Sequence, residues 1–424
     1  MNIRAIGLEE VKAINRILQA NRIDAWATLE NALAVRSSFI AYPLRLRVGE
    51  RQTKVASLLR EMSNAIFDVR RSLMPNYQEP TPVRLREYPY ALEVPYPYAK
   101  PLPSSEARIR SPRFHALIGR WYEFGQPPQE QYIDLERDYH VLIAAMSGGG
   151  KSTLMRMMLL TLLANTSPEH LQVVIIDLKN DDFPVFRQMP HVVQFAGETT
   201  SAAIAVAALE SEMRRRVECG ERKPKLLLVI DELAQLRSDR VTMSRISDLL
   251  GMGRALGIHV WAATQYPNRE TITTEINVNF TTRLVGRVDG PNAASVATKR
   301  AASGAHLLGT PGDFLKVDTE MRRFKAYWLS QSETASLIAT WRLRWRHVCK
   351  TQNLELPKDG GGGDMRVLEI AEKIAPLVAA GASQNEMIRS VFGPGANTGG
   401  SNLAWIKRAR AYLEEKERGN ERGI

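Results

Sequence analysis

The stretch from Val141 to Ala164 leaves few folds open to this chain. An apolar run, Val141-Leu142-Ile143-Ala144, leads into Ala145-Met146-Ser147-Gly148-Gly149-Gly150-Lys151-Ser152, and an apolar helical pattern from Thr153 to about Ala164 leaves it. Strand, glycine-rich loop and helix in direct succession build a concave backbone whose N–H groups converge on a phosphate chain. Only residues without a Cβ let the backbone curl that closely, which accounts for Gly148, Gly149 and Gly150. Lys151 brings a positive charge to the β and γ phosphates and Ser152 a hydroxyl to Mg2+. Thr153 opens a helix whose N-terminal partial charge faces the same anion. Residues 145–153 are therefore expected to hold ATP with Mg2+; a plain glycine turn is the alternative. Ala145 departs from the usual pattern, in which a glycine stands at that position.

From Phe114 to Asn268 short apolar runs alternate with longer helical patterns, the signature of an α/β fold with a parallel sheet and crossover helices. The runs are Val141–Ala144, Val173–Ile176, Leu226–Ile230 and His259–Ala263. Each ends in a polar or glycine-rich segment, so functional groups are expected at the carboxyl edge of the sheet. The third run delivers Asp231 and Glu232 there. Asp231 is expected to hold the Mg2+ shell and Glu232 to take the proton of the water that attacks the γ-phosphate. An acid pair that only caps the next helix is the plainer alternative. Gln265, after Ala262-Ala263-Thr264, is expected to sense the γ-phosphate or orient water, with a simple loop glutamine as its alternative. Asp177 and Lys179 end another run and either tie the sheet edge to nucleotide or DNA or form an ordinary strand-end salt bridge.

The flanks read as separate modules. Apolar residues from Leu8 to Leu33 recur at helical spacing with a break near Asn21–Asp24, predicting helices. Residues 38–48 alternate, Thr53–Leu73 is helical and Val83–Val94 alternates again, a small α+β module. Pro95–Pro112 reads as a surface linker, and Gly360–Gly363 as a flexible one. Beyond it lie three short helices: one ended by Gly381, one opened by a Ser383/Glu386 capping box, and one from Ser401 to about Glu415. That pattern resembles a helix-turn-helix or winged-helix unit. Asn402, Trp405, Lys407, Arg408 and Arg410 on the third helix are left for DNA or solvent. The expected organisation is a helical segment 1–34, an accessory α+β module 35–112, a motor 113–350, a linker 351–364 and a DNA-binding module 365–424.

Composition narrows the class. The chain has 424 residues and a formal net charge of +11, which favours a polyanionic partner, and the excess lies in the body of the chain rather than in a tail. No apolar run approaches eighteen residues and no signal-peptide pattern opens the chain, so a cytoplasmic protein without a membrane segment is expected. Two cysteines and seven scattered histidines predict neither a disulfide framework nor a zinc site.

Five stretches in order then resemble the FtsK/SpoIIIE family of DNA-translocating ATPases, within the wider FtsK and HerA group. They are Tyr139–Ser152, Val173–Lys179, Leu228–Ala234, Gly253–His259 with Ala263–Pro267, and Thr282-Arg283 with Gly304–Leu315. The resemblance implies a RecA-like P-loop motor that assembles as a ring, most often a hexamer, and pumps double-stranded DNA through its centre. It implies that each site is completed by an arginine of the neighbouring subunit; Arg254 is the best match for that finger and Arg283 the second. Lys299, Arg300 and Lys316, together with Arg322 and Arg323, flank the closing motif and are expected to hold DNA phosphates along a pore, or else to be solvated. The C-terminal unit stands where the family carries a winged helix that reads DNA. With no membrane domain or long linker ahead of the motor, a soluble version from a plasmid, integrative element or phage is expected rather than a septum-anchored pump. Two other classes stay open: an ATP-switched DNA-binding initiator or partition protein, and a coupling ATPase of a conjugation or secretion system. Glu232 beside Asp231 favours turnover over switching.

Overall fold

The computed structural model describes residues 3–87, 89–309, 311–345 and 362–394, with residues 396, 402, 403, 406, 407, 409, 410 and 413. Contacts divide the chain into two compact units. One comprises Met1–Asn165, Thr264–Arg269 and Thr282–Thr334, the other Thr166–Ala263, Glu270–Thr281 and Ala335–Ile424.

The first unit begins with the small α+β module. Helices Ile3–Ala20, Gln52–Ser57 and Leu59–Leu73 pack on a sheet in the order Ala25–Ala27, Phe39–Leu46, Tyr90–Pro95, Arg84–Glu87. Ile14, Leu18, Met62, Ile66, Tyr42 and Leu92 share one core, so the first helix belongs to the module and the expected boundary at residue 34 falls inside a single packing unit. The helical reading also fails past Asn21. Arg22 takes a left-handed φ of 55°, the chain turns, and Ala25–Ala27 pairs antiparallel with Leu44–Leu46. Under this sheet lies a buried polar cluster that periodicity does not reveal. Glu10 accepts from Arg70 Nε at 2.6 Å and from the Tyr42 hydroxyl, and Arg70 donates to the Tyr77 hydroxyl at 2.7 Å. Burial of this kind is tolerated only because the charges are paired and hydrogen-bonded.

The same unit carries six strands in the order His140–Ala144, Thr282–Val285, Asp313–Val317, Met321–Lys325, His115–Trp121, Gln129–Asp134. The first pair is parallel and every later pair antiparallel. The parallel sheet expected from the apolar runs is thus extended here by an antiparallel meander. Helix Lys151–Asn165 is nearly all buried, from Leu154 to Ala164, so it reads as a continuous apolar helix without a polar face.

The second unit holds four parallel strands in the order Val192–Ala196, Leu171–Ile176, Lys225–Ile230, Ile258–Thr264. Their centres are buried, in keeping with continuous Val/Ile/Leu runs. Helix Thr199–Cys219 follows strand Val192–Ala196, and helix Arg240–Met252 follows strand Lys225–Ile230 after the turn Leu233–Leu236. At the C-terminal end, Ile370, Ile374, Met387, Ile388, Ile406 and Ala409 form one small core. Gly381 closes the first of its helices with φ 72°, and the Ser383/Glu386 capping box opens the next.

Candidate nucleotide site

The loop after strand His140–Ala144 is fixed at both ends by backbone bonds. Ala145 donates its N–H to the Thr264 carbonyl at 3.3 Å and Met146 to the Arg287 carbonyl at 2.7 Å. Gly149 N–H turns back to the Met146 carbonyl at 3.0 Å, and Leu154 N–H bonds the Gly150 carbonyl at 2.9 Å as the helix begins. Gly148 and Gly150 have φ of +75° and +94°, the left-handed region that a Cβ disfavours. Ser147 and Gly148 form the exposed tip, while Lys151 is 4% exposed at the first position of the helix. Ser152 and Thr153 are half-buried in the same turn. A concave, glycine-built loop at the N-terminus of a 15-residue helix is a site for anions.

Ala145 has its explanation in the neighbouring strand end. It is fully buried, takes an ordinary negative φ, and its methyl lies against Gly286: a Cβ on Gly286 would come within 2.9 Å of it and of Phe314. The glycine missing from the loop stands one strand away. Sequence reading passed over Gly286 because 141 positions separate the two.

In the second unit, strand Lys225–Ile230 ends at Asp231 and Glu232, which are 3% and 6% exposed. Asp231 N–H bonds the Ile176 carbonyl at 3.0 Å, and Glu232 Oε1 accepts from Ala234 N–H at 3.3 Å, capping the turn Leu233–Leu236. Asp177 accepts from Asn180 N–H at 3.0 Å and Phe183 N–H at 3.1 Å, so it organises its own loop. Burial, and to a lesser degree the charge of Asp231, push its carboxyl above the usual range. Arg254 lies exposed in the turn Gly253–Leu256.

The remaining expected residues divide. Gln265 is half-buried after strand Ile258–Thr264. Arg283 is 2% exposed and donates to the carbonyls of Ala297 at 3.0 Å and Val296 at 3.4 Å, at the end of helix Pro291–Thr298. Burial pushes its guanidinium down to about 10. An arginine so enclosed cannot reach into a neighbouring subunit, and the finger reading of Arg283 gives way to helix capping. Lys299 and Arg300 are exposed; Arg300 donates to the Thr319 carbonyl at 2.9 Å. Burial and the charge of Arg283 hold the Lys299 ammonium below its ordinary value. Lys316 is half-buried between Asp138 at 3.5 Å and Asp318 at 3.7 Å, which neutralise the charge a DNA phosphate would need. Arg323 is enclosed by Glu93 and Asp313, so it does not line a pore. On the third C-terminal helix Lys407 is exposed and Asn402 and Arg410 are half-buried, while Trp405 and Arg408 lie outside the described residues.

Residues 102–219 match the FtsK/SpoIIIE family model. The chain is 32% identical over 213 residues to the DNA translocase SftA of Bacillus subtilis (strain 168), covering 43% of this chain and 22% of that protein. It is 32% identical over 205 residues to the DNA translocase FtsK of Campylobacter jejuni, again covering 22% of the relative. Over that stretch the chain is similar to the FtsK/SpoIIIE family. It spans about a fifth of the length of these curated relatives. Among solved structures, EssC (ATPases 2 and 3) from Geobacillus thermodenitrificans superposes with a TM-score of 0.52 at 16% identity, over 62% of this chain and 55% of that one. The Thermomonospora curvata EccC ATPases 2 and 3 superpose with a TM-score of 0.51 at 21% identity, over 61% and 52%. The fold, a mixed α/β sheet with flanking helices, is thus similar to that of these two structures. None of the described helices is long and apolar enough to cross a membrane.

Proposed function

We propose that this chain is the motor of an ATP-driven double-stranded DNA translocase that works as a homo-oligomeric ring. The observation that carries the reading is the phosphate loop itself: left-handed glycines at 148 and 150 and Lys151 opening a buried helix, in a stretch, 102–219, that matches the FtsK/SpoIIIE family model. Lys151 neutralises the β and γ phosphates. The hydroxyl of Ser152 and the carboxylate of Asp231 are the hard oxygen donors that Mg2+ takes. Glu232 accepts the proton of the attacking water and Gln265 orients that water. Arg254, exposed on its turn, is supplied to the neighbouring subunit's nucleotide.

DNA is held by phosphate contacts, with Lys299 and Arg300 on the motor and Asn402, Lys407, Arg408 and Arg410 on the C-terminal unit, whose three helices act as a winged-helix-like reader. A plasmid, integrative element or phage is the setting we favour, with action in the cytoplasm. ATPase measurement with duplex DNA of increasing length tests the reading. Turnover should rise manyfold and scale with length. Stimulation by a single specific site would point to an ATP-switched initiator, and stimulation by single strands or a peptide to a coupling ATPase.

A further inference from the structure

The phosphate loop is closed from one side by the segment Pro311–Asp313, and that segment is gripped by buried charges. Gly312 donates its N–H to the Gly149 carbonyl at 2.9 Å, and a Cβ on Gly150 would lie 3.1 Å from the Gly312 nitrogen. The next residue, Asp313, is 1% exposed. Its Oδ2 accepts from Arg323 at 2.5 Å, and its Oδ1 accepts from the Ser38 hydroxyl at 2.5 Å and lies 3.3 Å from Lys325 Nζ. Lys325 Nζ also donates to the Pro311 carbonyl at 2.7 Å, holding the segment from its other end. Arg323 continues to Glu93 at 2.8 Å, and Glu93 accepts from Arg84 at 2.8 Å. Burial works against the charge of Glu93, but Arg84 and Arg323 outweigh it and keep its carboxyl below the ordinary range. Ser38 and Glu93 belong to the N-terminal α+β module. A chain of direct bonds therefore runs from that module to the carbonyl of Gly149.

We propose that Ser38 and Glu93 are positioning residues for nucleotide, acting through Asp313 and Arg323 on the Gly312–Gly149 bond, so that the N-terminal module sets ATP affinity. A carboxylate whose oxygens are all directed holds its own backbone in place; removal of one donor lets it turn and carry Gly312 with it. Loosening falls on the curl of the loop that binds the phosphates rather than on the groups that perform hydrolysis. The inference rests on the nucleotide reading of residues 145–153.

The test uses the full chain, with binding of a fluorescent ATP analogue and steady-state ATPase measured on wild type, Ser38→Ala, Ser38→Thr and Asp313→Asn. Ser38→Ala should raise both Kd and KM for ATP about fivefold. Its kcat at saturating ATP should stay within about twofold of wild type. Ser38→Thr, which restores the hydroxyl, should return most of the affinity, and Asp313→Asn should raise KM further than Ser38→Ala. If Asp313→Asn does not fold, the Ser38 pair decides. Wild-type affinity in a folded Ser38→Ala chain would overturn the inference alone. A folded wild-type chain that does not bind ATP would overturn the nucleotide reading and the inference with it.

Discussion

The methyl group of Ala145 occupies the space that Gly286 leaves open: a Cβ on Gly286 would lie 2.9 Å from that of Ala145. The two positions should therefore be coupled. Gly286→Ala should destabilise the chain by about 1–3 kcal/mol through overpacking. Part of that loss should return in the double variant with Ala145→Gly, because Phe314, also 2.9 Å away, still resists. Chemical denaturation of the two single variants and the double checks this; additive losses would show that the two sites do not share the space.

Lys151→Ala should abolish measurable ATP hydrolysis, since the loop would face the phosphates without its cation. Glu232→Gln should still bind ATP but hydrolyse it about 10²–10⁴-fold more slowly. Single-turnover kinetics beside nucleotide binding separate the two effects. Rapid turnover by Glu232→Gln would remove Glu232 as the base and leave it as the cap on Ala234.

Arg254→Ala should lower kcat by roughly 10³–10⁵ while the same change at Arg283 should act on stability instead, because Arg283 is committed to the carbonyls of Val296 and Ala297. If Arg254 serves a neighbouring subunit, mixing inactive Arg254→Ala chains with inactive Lys151→Ala chains should restore part of the activity. Some interfaces then join an intact phosphate loop to an intact arginine. Mixtures that stay inactive would confine Arg254 to its own subunit or to no role.

His191 is pushed down to about 4 by burial, with its Nε2 against the Thr166 carbonyl at 2.6 Å. The unfolded chain binds this proton near pH 6.5 and the folded chain does not, so stability falls as pH drops from about 6.5 towards 4. The contribution lost between pH 7.5 and pH 5 is about 2 kcal/mol. Denaturation across that range should show a shallower fall in His191→Gln than in wild type.

Truncation after Gly363 should leave basal ATPase intact while changing DNA loading. Filter binding on duplexes of varied sequence follows both affinity and preference. Identical loading by the truncated chain would assign residues 365–424 to another task.

What the sequence disclosed follows burial. Strands such as Leu171–Ile176 and Lys225–Ile230 are buried along most of their length and so appear as unbroken apolar runs, and the loop beside His140–Ala144 announces itself by glycines whose φ values require them. The antiparallel meander stayed hidden because Met321–Lys325 reads as a surface strand: Arg322, Arg323 and Lys325 surround one phenylalanine. The side chains of Arg323 and Lys325 are nevertheless enclosed, since Asp313 and Glu93 pair with them, and Glu93 lies 230 positions from Arg323. Partners that distant have no local signature. The acceptors of Arg283, the carbonyls of Val296 and Ala297, lie at the end of the following helix and leave no mark on its own strand pattern.

The central claim is that ATP turnover at residues 145–153 moves the chain along duplex DNA. Displacement of a labelled third strand from a triplex placed on long duplex DNA measures that directly. Wild type should displace it only with ATP and Mg2+, at a rate that depends on the duplex length ahead of the triplex, and Lys151→Ala should leave it in place. DNA-stimulated ATP hydrolysis without displacement would contradict translocation.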